Sequence, residues 1–275
     1  MREIQENLFD RSVYSLPVRR EISSVLHFLN GAARGVKVGL DIGFTNAGIS
    51  RMLHQTGGYW MSVEPTPQRQ KLVAGALGSE TVFCAGQQGE LPFEDKQFDV
   101  VIVAHGVLPE GATAMAAVRE FHRVLKTDGH FILTVEYRKQ LGLAAAINQQ
   151  RVVTGAGGQY NAAEIFHLLK DGFDVLGFRH TCRFWVQLVR QWLDRRQAAR
   201  RRGGTELWLR CLYGLALLMD MPLFMTRGYQ MTVYSRRKGW REKHAKIVSQ
   251  NTPVSDALLF DPRREGRNVS IIKYK

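Results

Sequence analysis

Short apolar runs separated by glycine- or proline-containing loops dominate the first part of the chain. The clearest run, residues 36–42, stops at Gly43. An apolar run of this length is typical of a buried strand in a parallel sheet. Residues 49–55 then have the pattern of a short helix, and residues 59–63 form a second apolar run that ends at Glu64. This order predicts a strand, a loop, a helix and a second strand.

The same alternation continues and predicts an α/β fold, because strands that alternate with helices build a mostly parallel sheet. We expect further helices over residues 17–30, 68–77, 114–125 and 161–170, and further strands over 81–84, 98–103, 130–136, 172–179 and 230–236. Residues 127–129 are predicted to be a turn. Asn161 and Glu164 have the spacing of a helix capping box.

A long segment, residues 182–228, separates the last two predicted strands. Its first half repeats apolar residues at helical spacing and so predicts a helix with one apolar face, formed by Phe184, Trp185, Leu188, Val189, Trp192 and Leu193. Arg190 is expected on the polar side. The second half, 207–225, is apolar but is interrupted by Arg210, Asp220 and Pro222. These interruptions favour a helical hairpin in a membrane interface over a membrane span.

Aromatic residues and charge suggest the same location for the hairpin. Trp185, Trp192, Trp208 and Tyr213 are of the type that lies at a membrane boundary. The chain has a net charge of +13, and residues 183–246 contain fifteen Lys/Arg against four Asp/Glu. This excess predicts an anionic membrane surface as a partner of residues 184–225. A lid over the catalytic domain and a dimer interface are the alternatives.

The pattern divides the chain into four parts. Residues 1–35 are a helical lead-in, and residues 36–181 together with 229–240 are the α/β domain. Residues 182–228 are the basic apolar insertion, and residues 241–275 are a polar extension in which 269–274 is a candidate strand.

The loop 43–48 and Glu64 predict a ligand site at one edge of the sheet. In an open α/β sheet ligands bind beyond the carboxyl ends of the strands, and Gly43 lets the backbone approach a ligand closely. The loop has neither the GxGxxG spacing of dinucleotide sites nor the Gly-Lys-Ser/Thr of a P-loop. A carboxylate after the second strand suits the two hydroxyls of a ribose. An adenosine ligand without phosphate fits, and S-adenosylmethionine is such a ligand.

Three segments of residues 36–136 resemble the class I S-adenosylmethionine-dependent methyltransferases, specifically the small-molecule type related to ubiquinone and menaquinone methyltransferases. They are Leu40-Asp41-Ile42-Gly43 with Glu64, residues 91–101 (LPFEDKQFDVV), and residues 120–131 (EFHRVLKTDGHF). The resemblance implies a Rossmann-like, seven-stranded, mostly parallel sheet with helices on both faces and an antiparallel last strand beside the sixth. The helical insertion precedes that last strand.

The resemblance also implies which residues contact S-adenosylmethionine. The expected cofactor-binding residues are Asp41, Gly43, Thr45, Asn46, Gly48, Glu64, Gln87, Gln88 and Ala104. The chain departs from the family where Thr45 and Ala47 replace glycines, and where Gln87 stands near the position of an acid that holds the adenine amino group. A cofactor loop of this altered kind leaves a protein without catalytic activity as an alternative.

His105 is the candidate catalytic residue. It follows the predicted strand 98–103 and therefore lies at the reaction edge of the sheet, where an imidazole can act as a general base near neutral pH. A histidine that only caps the strand or lines the pocket is the alternative.

Two functions from different classes follow. The first is methyl transfer to a hydrophobic or membrane-associated small molecule such as a quinone, a polyprenyl compound or a lipid-like acceptor. The second is a membrane-binding or scaffold protein on the same fold. RNA methylation is a weaker third, and we expect no nucleic-acid partner, because Ala104-His105-Gly106-Val107 stands where an Asn/Asp-Pro-Pro-aromatic motif would hold a flipped base.

Cysteine usage and the opening segment bear on the compartment. Cys84, Cys182 and Cys211 lack metal or disulfide spacing, and residues 1–10 are polar and of mixed charge. We therefore expect no secretory signal and a cytoplasmic protein, with peripheral contact at the inner face of the membrane.

Overall fold

The computed structural model describes residues 23–29, 37–43, 50–51, 53–54, 57–86, 89–104, 106–138, 158–198, 206–223, 226–240, 248–249 and 252–253. The strands are β1 (Val38–Ile42), β2 (Tyr59–Glu64), β3 (Val82–Cys84), β4 (Phe98–Val103), β5 (Leu125–Tyr137), β6 (Gln159–Tyr160), β7 (Phe173–Thr181) and β8 (Gln230–Arg237). The helices are α1 (Pro67–Leu77), α2 (Ala112–Val124), α3 (Ala162–Leu169), α4 (Phe184–Ala198) and α5 (Glu206–Met219), with a 3₁₀ turn at Ser79–Thr81. Residues 23–29, 50–51 and 53–54 are also helical.

The strands form a single sheet in the order β3-β2-β1-β4-β5-β8-β7, and the two-residue β6 pairs with β5. The pairings among β1 to β6 are all parallel, whereas β8 is antiparallel to both β5 and β7. The predicted Rossmann-like fold and its antiparallel last strand are therefore confirmed. The chain adds β2 and β3 on one side of β1, and then adds β4 and β5 on its other side. Open sheets of this type bind ligands at the point between β1 and β4 where this direction changes.

The helix over residues 23–29 covers one face of the sheet. Its Val25 and Leu29 pack with Trp60, Ile102 and Ile132 in a fully buried cluster. Leu26 and Phe28 lie against the same cluster, so this helix contributes to the core of the α/β domain. The described part of the predicted helix 17–30 is thus confirmed.

One predicted turn is wrong. Residues 127–129 lie inside β5, which begins at Leu125 and continues as one strand. Asp128 adopts a left-handed backbone with φ of 61°, and the β4–β5 register shifts between Phe98 and Val100. Between the pairs that these two residues form, β5 advances by five residues and β4 by two, so residues 126–129 form a wide irregularity that pairs with neither β4 nor β8. Pairing with β4 keeps the strand intact on both sides of it.

The N-terminus of α3 is confirmed as a capping box. The Asn161 side chain accepts a hydrogen bond from the Glu164 amide at 2.8 Å, and the Glu164 carboxylate accepts one from the Asn161 amide at 2.8 Å. Both bonds satisfy amides that have no partner inside the helix.

The insertion forms the predicted helical hairpin. Val186 of α4 packs with Tyr213 and Ala216 of α5, and Leu193 packs with Leu209. Asp220 caps α4 from the far end of α5, because its carboxylate accepts hydrogen bonds from the Trp185 and Val186 amides at 2.9 and 3.2 Å. No helix in the described part of the chain has the length and apolarity needed to cross a bilayer.

Two details of the predicted hairpin surface are wrong. Tyr213, expected at a membrane boundary, is buried between the two helices, and Arg190, expected on the polar side, is also buried. The reason is that α4 turns Val186 and Leu193 inward and Trp185 and Trp192 outward. The apolar residues of α4 therefore do not form a single face.

Residues 240–275 form a second compact unit, separate from residues 1–239. Within it, Val248–Ser249 and Thr252–Pro253 pair as a short antiparallel ladder. The candidate strand 269–274 lies outside the described residues.

Candidate functional site

Three predicted cofactor-binding residues lie together where β1, β2 and β4 end. Gly43 follows β1, Glu64 ends β2 and Ala104 follows β4. The Gly43 amide donates to the carbonyl of Val63 at 2.8 Å, and the Ala104 amide donates to the carbonyl of Ile42 at 3.0 Å. These bonds continue the sheet by one residue and fix the backbone at the carboxyl edge.

Gly43 needs to be glycine for two reasons. Its φ is 70°, a left-handed conformation that side chains with a Cβ rarely adopt. A Cβ at this position would also overlap the Cγ2 methyl of Val107, in the loop after β4. The backbone of the cofactor loop therefore starts in close contact with the neighbouring loop.

Glu64 is a buried carboxylate whose oxygens lack hydrogen-bond donors in the described part of the chain. It is 0% exposed, and neither carboxylate oxygen has a hydrogen-bond partner among the described residues. Arg69 Nε lies 3.4 Å from Oε2. Burial raises the pKa of Glu64 to about 7, the Arg69 charge lowers it, and the Asp41 charge raises it. Two ribose hydroxyls would supply the donors that this carboxylate lacks, so the site fits the adenosine part of S-adenosylmethionine.

The Asp41 carboxylate is hydrogen-bonded to two serine side chains. It is fully buried, and its oxygens accept hydrogen bonds from Ser50 Oγ and Ser62 Oγ, each at 2.7 Å. Burial raises the Asp41 pKa to about 7, and the two serine hydroxyls lower it. His54 Nε2 lies 3.9 Å from Oδ2. The carboxylate joins β1 to β2 and to the helical residues 50–51 and 53–54.

Six predicted site residues lie outside the described residues. They are His105, Thr45, Asn46, Gly48, Gln87 and Gln88, and their roles stay predictions. The two serines that hold Asp41 were not predicted. The signal available in the sequence was weak: Ser62 is a polar residue at a buried position of an otherwise apolar strand.

The loop after β4 is fastened to the segment around β6. Glu110 Oε1 accepts hydrogen bonds from the Gln159 amide at 2.7 Å and from Arg138 Nη2 at 3.3 Å. Arg138 also donates to the Gln159 carbonyl and to Glu164. The Tyr160 hydroxyl bonds to the Pro109 carbonyl, and burial raises the pKa of Tyr160 to about 12. These bonds hold the chain that follows His105.

The other side of the reaction edge is polar and aromatic. Arg227 Nη1 donates to the Tyr137 hydroxyl at 2.6 Å, and its guanidinium lies 5.9 Å from the centre of the Tyr137 ring. The His180 ring meets the Tyr137 ring edge-on at 5.1 Å. Tyr137 therefore has a fixed position at the end of β5.

Comparison with known families agrees with this geometry. Residues 40–133 match the family profile described as "Methyltransferase domain". The chain contains a methyltransferase domain. The matched range runs from β1 through β5 and includes Gly43, Glu64 and Ala104. No curated protein sequence matches the chain at a significant level.

Solved structures share the fold of this methyltransferase-domain protein. A putative sarcosine dimethylglycine methyltransferase from Galdieria sulphuraria has a TM-score of 0.53 at 18% identity, over 81% of this chain and 86% of that one. A putative methyltransferase from Bacillus halodurans has a TM-score of 0.53 at 16% identity, over 78% and 99%. Geranyl diphosphate C-methyltransferase from Streptomyces coelicolor, solved with S-adenosyl-L-homocysteine, has a TM-score of 0.51 at 13% identity, over 78% and 77%.

The domain match settles the predicted class. The match bears out the predicted S-adenosylmethionine-dependent methyltransferase domain over residues 40–133. At the identities given above, the solved structures establish the fold alone. The finer resemblance to quinone methyltransferases is not confirmed.

Proposed function

We propose that this methyltransferase acts on a hydrophobic or membrane-associated small molecule. The observation that carries the proposal is the outer surface of the α4–α5 hairpin. Large apolar side chains are exposed there: Trp185, Trp192, Trp208, Leu215, Leu218, Met219 and Met221. Leu218 and Met221 are 65% and 68% exposed. A concentration of apolar groups of this kind is typical of contact with a membrane or an apolar ligand.

The hairpin combines this apolar surface with positive charge. The Trp192 and Trp208 rings lie 6.0 Å apart and join the two helices on the outer side. Residues 184–225, which contain the hairpin, carry seven Lys/Arg against three Asp/Glu. Each basic residue near an anionic leaflet contributes about 1 kcal/mol. Apolar insertion and charge attraction therefore favour the same partner, an anionic membrane surface.

The chemistry requires few protein groups. Bound S-adenosylmethionine supplies an activated sulfonium methyl group. Glu64 would accept hydrogen bonds from the ribose, and the backbone at Gly43 would form the wall of the site. We assign His105 the role of general base for a hydroxyl acceptor, since it follows β4 at the reaction edge. The main contribution of the chain is to align the acceptor with the methyl group and to exclude water.

Binding to vesicles tests the proposed acceptor class. The protein would be sedimented with phosphatidylcholine vesicles, with and without phosphatidylserine, at low and high salt. We expect binding that requires phosphatidylserine and weakens with salt. The double substitution Leu215→Glu with Leu218→Glu should weaken binding by roughly tenfold or more, because it removes inserted apolar area and adds negative charge.

The matched control is Leu72→Glu, since Leu72 is an exposed apolar residue of α1 outside the hairpin. It should leave vesicle binding unchanged. Equal loss in the control and in the hairpin variant, or no vesicle binding by the unaltered protein, would contradict the proposal. Vesicle binding without any S-adenosylhomocysteine binding would instead support the scaffold alternative.

A further inference from the structure

A row of polar side chains crosses the carboxyl edge of the sheet beside the cofactor site. Gln230 of β8 pairs in register with Glu136 of β5 on one side and with Thr181 of β7 on the other. Residues directly opposite each other on paired strands have their side chains on the same face, with Cβ atoms about 5 Å apart. Two residues further into the sheet, Thr134 and Thr232 continue this polar face, with their hydroxyls 3.5 Å apart.

Two members of this row are buried and lack partners. Gln230 is 1% exposed, and its Oε1 accepts a hydrogen bond from Cys182 Sγ at 3.2 Å. This bond leaves the amide nitrogen as the free group, and Gln230 Nε2 has no partner in the described part of the chain. Thr181 is 8% exposed, and its hydroxyl likewise has none within the same residues. Buried polar groups without partners are uncommon in folded proteins and call for an explanation.

The row lies on the face of the sheet that carries the buried cluster beside the end of β4. Ile132 and Ala104 belong to one buried cluster on that face. Thr134 follows Ile132 by two positions in β5, so its side chain points to the same face. The polar row therefore begins beside the end of β4 and extends toward β7. Its outer end meets the hairpin, where Cys182 packs with Val186 and Tyr213.

We propose that Gln230 and Thr181 bind the polar end of the methyl acceptor through one hydroxyl or carbonyl oxygen. The inference rests on the proposed function and specifies its acceptor. The amide nitrogen can only donate, and a threonine hydroxyl can donate or accept. Together they match one neutral oxygen. The apolar tail of the acceptor would then run along the exposed side chains of the hairpin.

A pair of probes that differ by one oxygen tests the assignment. 4-Hexylphenol and hexylbenzene have the same tail, and only the first has a ring hydroxyl. Each would be titrated into protein saturated with S-adenosylhomocysteine, with tryptophan fluorescence as the signal. We expect the phenol to bind about tenfold more tightly than the hydrocarbon. The near-isosteric substitution Gln230→Met should abolish this preference and leave hexylbenzene binding and S-adenosylhomocysteine affinity unchanged.

Two further variants make the result specific. Thr181→Val should reduce the same preference, and it decides the question if Gln230→Met does not fold. Gln70→Met is the matched control, because Gln70 lies in α1 and its amide is already bonded to the Val82 carbonyl at 3.1 Å. This control should retain the full preference for the phenol.

Thermal stability separates a binding role from a structural one. Gln230→Met removes a buried donor without a partner, and with it the Oε1 that accepts a bond from the weak donor Cys182 Sγ. Because these two effects oppose each other, the free protein should keep its Tm within a few degrees. A lower Tm together with an unchanged phenol preference would overturn the proposal, as would equal binding of both probes by the unaltered protein. Failure of the unaltered protein to bind S-adenosylhomocysteine would refute the proposed function itself.

Discussion

Gly43 and Val107 are in contact across the gap between the loops that follow β1 and β4, and this contact leaves no room for a Cβ on Gly43. The two residues follow the neighbouring parallel strands β1 and β4, between which the order of strands in the sheet changes direction. The close approach therefore couples the cofactor loop to the loop that carries the candidate base His105.

Gly43→Ala should weaken S-adenosylhomocysteine binding by tenfold or more, because the new methyl group displaces Val107 and strains a left-handed backbone by about 1–2 kcal/mol. Val107→Ala, combined with Gly43→Ala, should recover part of the loss by removing the overlapping methyl. A double-mutant cycle on calorimetric affinities would measure a coupling of about 1 kcal/mol.

The control is Gly57→Ala. Gly57 also has a positive φ, but a Cβ there meets open space. The Gly57→Ala variant should have a lower free energy of unfolding and an unchanged affinity for S-adenosylhomocysteine. Equal effects of Gly43→Ala and Gly57→Ala on affinity, or an additive cycle, would mean that contact with Val107 does not shape the site.

Glu64→Gln should change stability and binding in opposite directions. Burial raises the Glu64 pKa from 4.5 to about 7, so ionisation opposes folding. This penalty is absent below the unfolded-state pKa, grows as pH rises from about 4.5 to 7, and is constant above that. At pH 8 the variant should be about 1–2 kcal/mol more stable than the unaltered protein in urea unfolding, and at pH 4.5 equally stable.

The same substitution should weaken S-adenosylhomocysteine binding at pH 8, because a neutral amide replaces the carboxylate that we expect to accept hydrogen bonds from the two ribose hydroxyls. In the unaltered protein, affinity should fall as pH drops below about 7, since protonation of Glu64 removes an acceptor. If the variant lost stability at pH 8 and kept its affinity, Glu64 would have a purely structural role.

Asp220→Ala should loosen the hairpin. Loss of the bonds to the Trp185 and Val186 amides leaves the N-terminus of α4 uncapped, at a cost of about 1–2 kcal/mol. Hydrogen exchange should become faster at those two amides. Asp174→Ala is the control, because Asp174 forms an exposed ion pair with Lys238 at 2.7 Å and should cost less than about 0.5 kcal/mol. Similar stability losses in the two variants would argue against the cap.

Local patterns accounted for the parts of the fold that depend on neighbouring residues. The apolar run before Gly43, the capping box at Asn161 and the hairpin at residues 184–219 all have signals within a few residues of each other. The turn at residues 127–129 was wrong because β5 continues through it: Leu125 pairs with β4 before this stretch, and residues 130–133 pair with β4 after it. Strand pairing of this kind is a tertiary effect that a single sequence does not display.

The site was predictable only in part for the same reason. Glu64 and Gly43 were expected because each follows an apolar run, and parallel strands bring such ends together. The row formed by Glu136, Gln230 and Thr181 depends on the register of three strands that are distant in sequence. The bonds that Arg138 makes to Glu110 and Glu164 depend on how the loop after β4 packs. Neither arrangement has a sequence motif.

Calorimetric titration of S-adenosylmethionine and S-adenosylhomocysteine into the unaltered protein and into Glu64→Ala tests the central claim most directly. We predict micromolar binding of both compounds and a loss of tenfold or more in the variant, which corresponds to roughly 1.4 kcal/mol. Absence of binding of either compound to the unaltered protein, or equal affinity in the variant, would contradict the assignment of the β1–β2–β4 edge as the cofactor site.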